Sequence, residues 1–185
     1  MTSDIEGWMH EGELEWLRTQ AQKYYRILEL GAWKGRSTVA LAQGTPGTVW
    51  TVDHWKGSDD AEDEANAELA KQGSTRVYRD FIQNTLPYWH KIKLYYGSSA
   101  EAAVAYQRLR FDFVFLDADH RYEATKTDIV RWRALTDPGG LISGHDAEYP
   151  DVWRAVTEVF SKVGVISTSD PLAPLGESRI WWATN

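Results

Sequence analysis

The sequence predicts an α/β fold: a doubly wound, mostly parallel, seven-stranded Rossmann-like sheet with an antiparallel last strand and helices on both faces. Three observations carry this. Short β-branched and aliphatic runs alternate with stretches of helical period along the chain. The run Arg26 to Leu30 breaks at Gly31 and Gly35 into the helix-forming stretch Ser37 to Ala42, giving strand, turn and helix in succession. Glu29, Asp53, Gly97, Asp117 and Asp146 then all fall at strand ends. In open sheets of this class, ligands bind beyond those carboxyl ends, where the strand order reverses.

Each element follows from local pattern. Leu14, Leu17, Ala21 and Tyr24 recur at helical spacing, so the chain opens with a short amphipathic helix over about residues 11–24. A second strand, Gly47 to Asp53, stops on an acid. Asp59 to Glu68 is acidic and alanine-rich, a solvated loop running into a helix or a lid over a bound molecule. Lys91 to Tyr96 is a third strand closing at Gly97, with Ser99 to Arg108 as its crossover helix. Asp112 to Asp117, apolar between acids, is a central strand covered on both faces. Tyr122, Thr125, Ile129 and Trp132 share one side of the next helix. Pro138-Gly139-Gly140 turns into a fifth strand, Leu141 to Asp146. Val152, Ala155, Val156, Val159, Phe160 and Val163 form an amphipathic stripe. The closing strands, Val165 to Ser169 and Ser178 to Ala183, flank a loop with Pro171 and Pro174. With no helix between them they form a hairpin, which makes the last strand antiparallel.

Composition narrows the function. At 185 residues the chain fits a single domain, without linker or internal repeat. A net charge of −7 and a pI near 5.2 leave no basic footprint for a phosphate backbone, which argues against nucleic acid as a partner. The lack of cysteine excludes disulfides, thiolate nucleophiles and cysteine metal sites, and fits a reducing, cytoplasmic compartment. Met1 to Gly12 lacks the basic-then-apolar order of a signal peptide, and no run approaches the roughly 20 apolar residues that span a bilayer. No membrane partner is expected. Most of the ten tryptophans read as core or rim aromatics. Trp33 and Trp55 stand apart, because each lies close to an expected ligand contact and suits a pocket wall.

The turn after the first strand suits a nucleotide, and its spacing says which kind. A dinucleotide fingerprint needs glycine where Trp33 stands, so that a pyrophosphate can approach the backbone. Gly35 is followed by Arg36, not by the Lys-Ser/Thr ending of a P-loop. What remains is a turn receiving an adenosine without phosphates, with Glu29 available to accept from an amino group.

On these residues the chain resembles class I S-adenosylmethionine-dependent methyltransferases, from about Leu14 to its end. Leu28 to Ser37 is similar to the first motif of the catechol and caffeoyl-CoA O-methyltransferase group. Leu116-Asp117-Ala118-Asp119-His120 and Gly140 to Asp146 look like the fourth and fifth strand ends of that group. A bacterial branch of small methyltransferases carries the same Trp-Lys-Gly-Arg-Ser, Val-Asp-His-Trp and Gly-His-Asp segments.

The resemblance implies S-adenosylmethionine as methyl donor and a small-molecule hydroxyl as acceptor. Glu29 and the turn Gly31, Ala32, Trp33 and Gly35 would hold the methionine moiety, with Ser37 either a contact or a helix cap. Asp53 would receive the ribose hydroxyls, with His54 beside it, and Gly97, Ser98 and Ser99 would read the adenine edge. Asp117 and Asp146 correspond to magnesium ligands in the metal-dependent members, and hard cations favour carboxylates; Asp117 would also contact the donor and serve as a catalytic residue. The amide that follows the second aspartate in that group is Ala147 here, so Mg2+ or another divalent cation would need His145, Asp119 or water in its place. His120, where the catechol enzymes have a lysine, would be the catalytic base, since an imidazole titrates near neutrality. The short N-terminal helix hints at a homodimer. An N-methyltransferase, or a non-catalytic donor-binding module whose acidic loop engages a protein, stays open at this point.

Overall fold

The computed structural model describes residues 4–58, 64–166 and 179–185. Its helices are α1 (Glu11–Ala21), α2 (Arg36–Gly44), α3 (Glu64–Gln72), α4 (Ser74–Thr85), α5 (Ser99–Ala105), α6 (Tyr122–Arg133) and α7 (Pro150–Val159). The strands are β1 (Arg26–Leu30), β2 (Thr48–Asp53), β3 (Ile92–Tyr96), β4 (Phe111–Leu116), β5 (Thr136–Gly144), β6 (Gly164–Val165) and β7 (Trp181–Thr184). They form one seven-stranded sheet in the order β3-β2-β1-β4-β5-β7-β6. The first five strands pair in parallel, and β7 runs antiparallel to both β5 and β6. The expected topology is therefore the observed one.

Strand alternation sends side chains to two covered faces. Leu28, Leu30, Val114 and Ile142 pack with Ile129 and Trp132 of α6 and with Val152, Ala155 and Val156 of α7. Ile27, Val49, Phe113 and Phe115 pack with Leu14, Leu17 and Ala21 of α1 and with Ala40 and Leu41 of α2. A third cluster, Ala32, Trp55, Leu69, Val77 and Phe81, sits over the turn between β1 and α2 and fixes it.

The departures from the sequence reading are local. α4 was not anticipated, although Val77, Phe81 and Thr85 recur at four-residue spacing and are buried. Tyr24 lies beyond α1, and α5 stops at Ala105 instead of Arg108. β5 begins at Thr136 and takes in the Pro-Gly-Gly segment, with a register shift opposite Phe111 to Phe113. Val163 lies past the end of α7. Residues 59–63 of the acidic stretch, and the loop with Pro171 and Pro174, lie outside the described residues. No described helix is long and apolar enough to cross a membrane.

Candidate functional site

From β1 the sheet is built outward in both directions, toward β2 and β3 on one side and β4 and β5 on the other. At the carboxyl ends of these strands opens a cavity of about 580 Å³. Its floor is the β1–α2 turn. Gly31 has φ +79°, and a Cβ there would stand 1.7 Å from the Asp117 carbonyl oxygen, so only glycine fits. Trp33 and Trp55 adopt φ +48° and +52°, left-handed values that are rare for bulky residues. Asp53 holds both. Its Oδ2 accepts the N–H groups of Ala32 at 2.8 Å and Trp33 at 3.1 Å, and its Oδ1 accepts that of Trp55 at 2.7 Å. The Trp55 indole then donates to the Trp33 carbonyl at 2.7 Å.

Most of the expected residues meet here. Gly31, Ala32, Trp33, Ser37, Asp53, His54, Gly97, Ser98, Ser99, Asp117, His120, His145 and Asp146 all line the cavity. Several also have structural roles. Ser98 caps α5 in a capping box with Glu101, Ser99 donates to Asp128 and accepts from the Trp132 indole, and His54 Nδ1 accepts the Lys56 N–H.

Glu29 is a correction. Alternation along β1 turns it to the α2 side, where it is fully buried outside the cavity wall. Its carboxylate accepts the hydroxyls of Ser37 and Thr38, each at 2.6 Å, and of Thr51 at 2.9 Å. It therefore anchors α2 to β1 and does not face a ligand amino group. Burial pushes its pKa up to about 7 against the pull of those hydroxyls. Gly35 likewise shapes the turn from below, at φ +87° against Thr85 and Phe81.

At the other end of the cavity, ligand atoms of Asp117, His120 and Asp146 all lie within 4.8 Å of one another. His120 Nε2 is 3.0 Å from Asp146 Oδ2, and its ring stacks on Tyr149 with centroids 5.0 Å apart. Here too the sequence reading is corrected. His145 has Nδ1 3.0 Å from Asp146 Oδ1 and Nε2 3.5 Å from Glu13 Oε2, and it is not among the residues whose ligand atoms gather here. His120 takes its place in the cluster. Asp119 turns to Arg121 at 2.7 Å.

Burial and the neighbouring Asp146 charge raise Asp117 to about 7, although His145 opposes this. Burial works against ionisation of Asp146, but the His145 and His120 charges outweigh it and hold that carboxyl well below its usual range. His145 is raised well above its usual value: burial lowers it, and the carboxylates of Asp146, Glu13 and Asp117 overcome that.

The sequence reading missed Trp8, Met9, Arg36, Tyr149 and Arg179, which also line the cavity. Arg36 carried a signal, since it follows Gly35 directly. It donates to the Gly7 carbonyl at 2.7 Å and has no ion-pair partner among the described residues. Glu13, buried next to Leu14, carried none, because an acid at a buried helix position looks like any surface glutamate.

Solved structures share this architecture. An O-methyltransferase from Bacillus cereus in complex with SAH superposes with a TM-score of 0.65 at 18% identity, covering 98% of this chain and 84% of that one. Cofactor-bound Rv0187 from MTB gives 0.66 at 20% identity, with 99% and 85% covered. The O-methyltransferase TomG from Streptomyces achromogenes, in complex with SAM, gives 0.63 at 17% identity, with 96% and 81% covered. At these identities the likeness is one of fold. Residues 28–147, from the middle of β1 to just past Asp146, match the family described as a methyltransferase domain. That span holds the turn, Asp53 and the Asp117, His120 and Asp146 cluster, and the chain belongs to the methyltransferase domain family.

Proposed function

We propose that this methyltransferase moves the methyl group of S-adenosylmethionine to a hydroxyl oxygen of a small molecule. The supporting observation is the placement, in one cavity, of a turn unsuited to phosphates at one end and the Asp117, His120 and Asp146 cluster at the other. The Bacillus cereus and Streptomyces achromogenes proteins, which hold SAH and SAM, support the same donor.

On this reading Asp53, whose Oδ1 accepts a single N–H, receives a ribose hydroxyl on its one remaining lone pair. Arg36 and the first turn of α2, which has no side-chain cap and no acid, face the donor's carboxylate. The acceptor hydroxyl lies at His120. As its oxygen attacks the methyl carbon in line, the C–S bond breaks to leave the neutral thioether, and the hydroxyl proton passes to His120. Asp146, hydrogen-bonded to His120, stabilises the imidazolium that forms.

The 4.8 Å clustering favours a second arrangement. Two carboxylates and an imidazole fit a divalent cation, with His120 supplying the ligand that Ala147 lacks. A bound cation would lower the pKa of the acceptor hydroxyl. His120 would then be a ligand and not a base.

The test is SAH release over a panel of phenols, sugars and amines, with and without EDTA. Hydroxyl acceptors alone should yield SAH; turnover with amines only, or with nothing, overturns the reading. Loss of activity in EDTA with recovery on Mg2+ assigns the cation arrangement, and unchanged turnover leaves the proton with His120.

A further inference from the structure

Glu13 is a charged side chain with no exposed surface, on a helix whose Leu14, Leu17 and Ala21 already provide an apolar stripe. A buried carboxylate is costly unless its partners compensate. Its Oε1 accepts the Arg179 N–H at 2.7 Å; its Oε2 accepts the His10 N–H at 2.9 Å and lies 3.5 Å from His145 Nε2. The two backbone bonds cap α1 and anchor the chain before β7. Contact with His145 serves neither end. The other ring nitrogen of His145 is 3.0 Å from Asp146 Oδ1. A carboxylate thus stands at each nitrogen of the buried ring, in hydrogen-bond contact at Nδ1 and at ion-pair distance, with no hydrogen bond, at Nε2. Asp146 meanwhile keeps φ +62°, a left-handed conformation that costs about 1–2 kcal/mol in an L-residue. In that conformation its other oxygen stands 3.0 Å from His120 Nε2.

We propose that Glu13, outside the cavity, is a positioning residue that acts through His145 to aim the Asp146 carboxylate at His120. The inference rests on the methyl-transfer reading. It makes α1 part of the reaction machinery, because small displacements of groups at the reacting centre cost large factors in rate.

A double-mutant cycle on the full chain tests it. Glu13→Gln keeps the length and an acceptor oxygen but removes the charge facing His145, whereas Glu13→Asp keeps the charge. Glu13→Gln should lower kcat about tenfold with donor Kd unchanged, Glu13→Asp should retain more activity at matched Tm, and Glu13→Gln should add nothing to the loss caused by His145→Asn. Additive losses, or an undiminished kcat in Glu13→Gln, overturn the proposal; if Glu13→Gln does not fold, His145→Asn alone carries the test, and an undiminished kcat in it overturns the proposal. A crystal structure of the Glu13 variant gives a readout independent of turnover: Asp146 unmoved relative to His120 overturns the positioning role. Failure of the unmutated protein to methylate any acceptor would instead count against the methyl-transfer reading.

Discussion

Glu29 shows what a single residue can and cannot disclose. Its folded pKa is raised above that of an unfolded glutamate, so between about pH 4.5 and 7 the native state holds a proton that the unfolded chain has released. Stability should therefore fall as pH rises through that window, by about 3 kcal/mol, one pKa unit being about 1.4 kcal/mol. Urea melts of the wild type and Glu29→Gln at pH 5 and pH 8 check this: the fall due to Asp117 and His145 is common to both proteins, so the stability difference between wild type and variant should shrink by about 3 kcal/mol from pH 5 to pH 8, and an equal difference at both values contradicts it. The sequence placed an acid near the end of β1 and read it as a ligand contact. Which side it faces depends on alternation relative to α2, and three hydroxyls from α2 and β2 take up three of its four acceptor sites. Asp53 and His120 were legible for the opposite reason, because each lies where a strand has ended and its side chain meets the cavity. His120→Ala should leave donor Kd within about twofold while kcat falls about 100-fold or more. Asp53→Ala should weaken donor binding at least tenfold (about 1.4 kcal/mol), since it also releases the Trp33 and Trp55 backbones; calorimetry separates the two.

At the level of elements, the segments that support the cavity from outside the sheet were the least legible. β1, β2, β4 and α7 announce themselves by apolar runs or a helical stripe, whereas α4 is polar apart from Val77, Phe81 and their neighbours. Its role depends on Lys34, from the turn. Lys34 is 4% exposed, and its ammonium reaches Glu6 at 2.8 Å, Gln72 of α3 at 2.6 Å and Asp80 of α4 at 3.3 Å. One cation thus clasps three segments, and Gly7, Trp8 and Leu69 of those segments line the cavity. Lys34→Met removes the clasp. Because Glu6 is half exposed, the loss should be about 1–2 kcal/mol, below the 3–5 kcal/mol of a fully buried pair. Hydrogen exchange should quicken in residues 4–10 and α3 and stay unchanged in β1 and β4. Uniform quickening across the sheet would mean that Lys34 supports the core and not these outer segments.

For the whole molecule, the sheet order places β1 and β4 side by side, so the two halves of the site come from chain segments far apart in sequence. The backbone N–H of Asp117 donates to the Leu30 carbonyl at 2.8 Å, and that of His145 to the Leu116 carbonyl at 3.0 Å. The nucleoside turn and the acidic cluster are thereby fixed to one rigid edge. A donor bridging both ends should act on global stability through mass action. At a concentration 100-fold above Kd, a ligand specific for the native state contributes about 2.7 kcal/mol, which for a chain of this size is a rise in Tm of about 5–10 °C. SAH should produce that rise in the wild type and in His120→Ala, whose defect lies at the other end of the cavity, and should fail to do so in Asp53→Ala. NAD and ATP should produce none, because Trp33 stands where a pyrophosphate would need to approach the backbone. A scanning calorimetry series over these ligands and variants decides the matter: a larger shift with NAD than with SAH would show that the turn accepts phosphates and that the donor assignment is wrong.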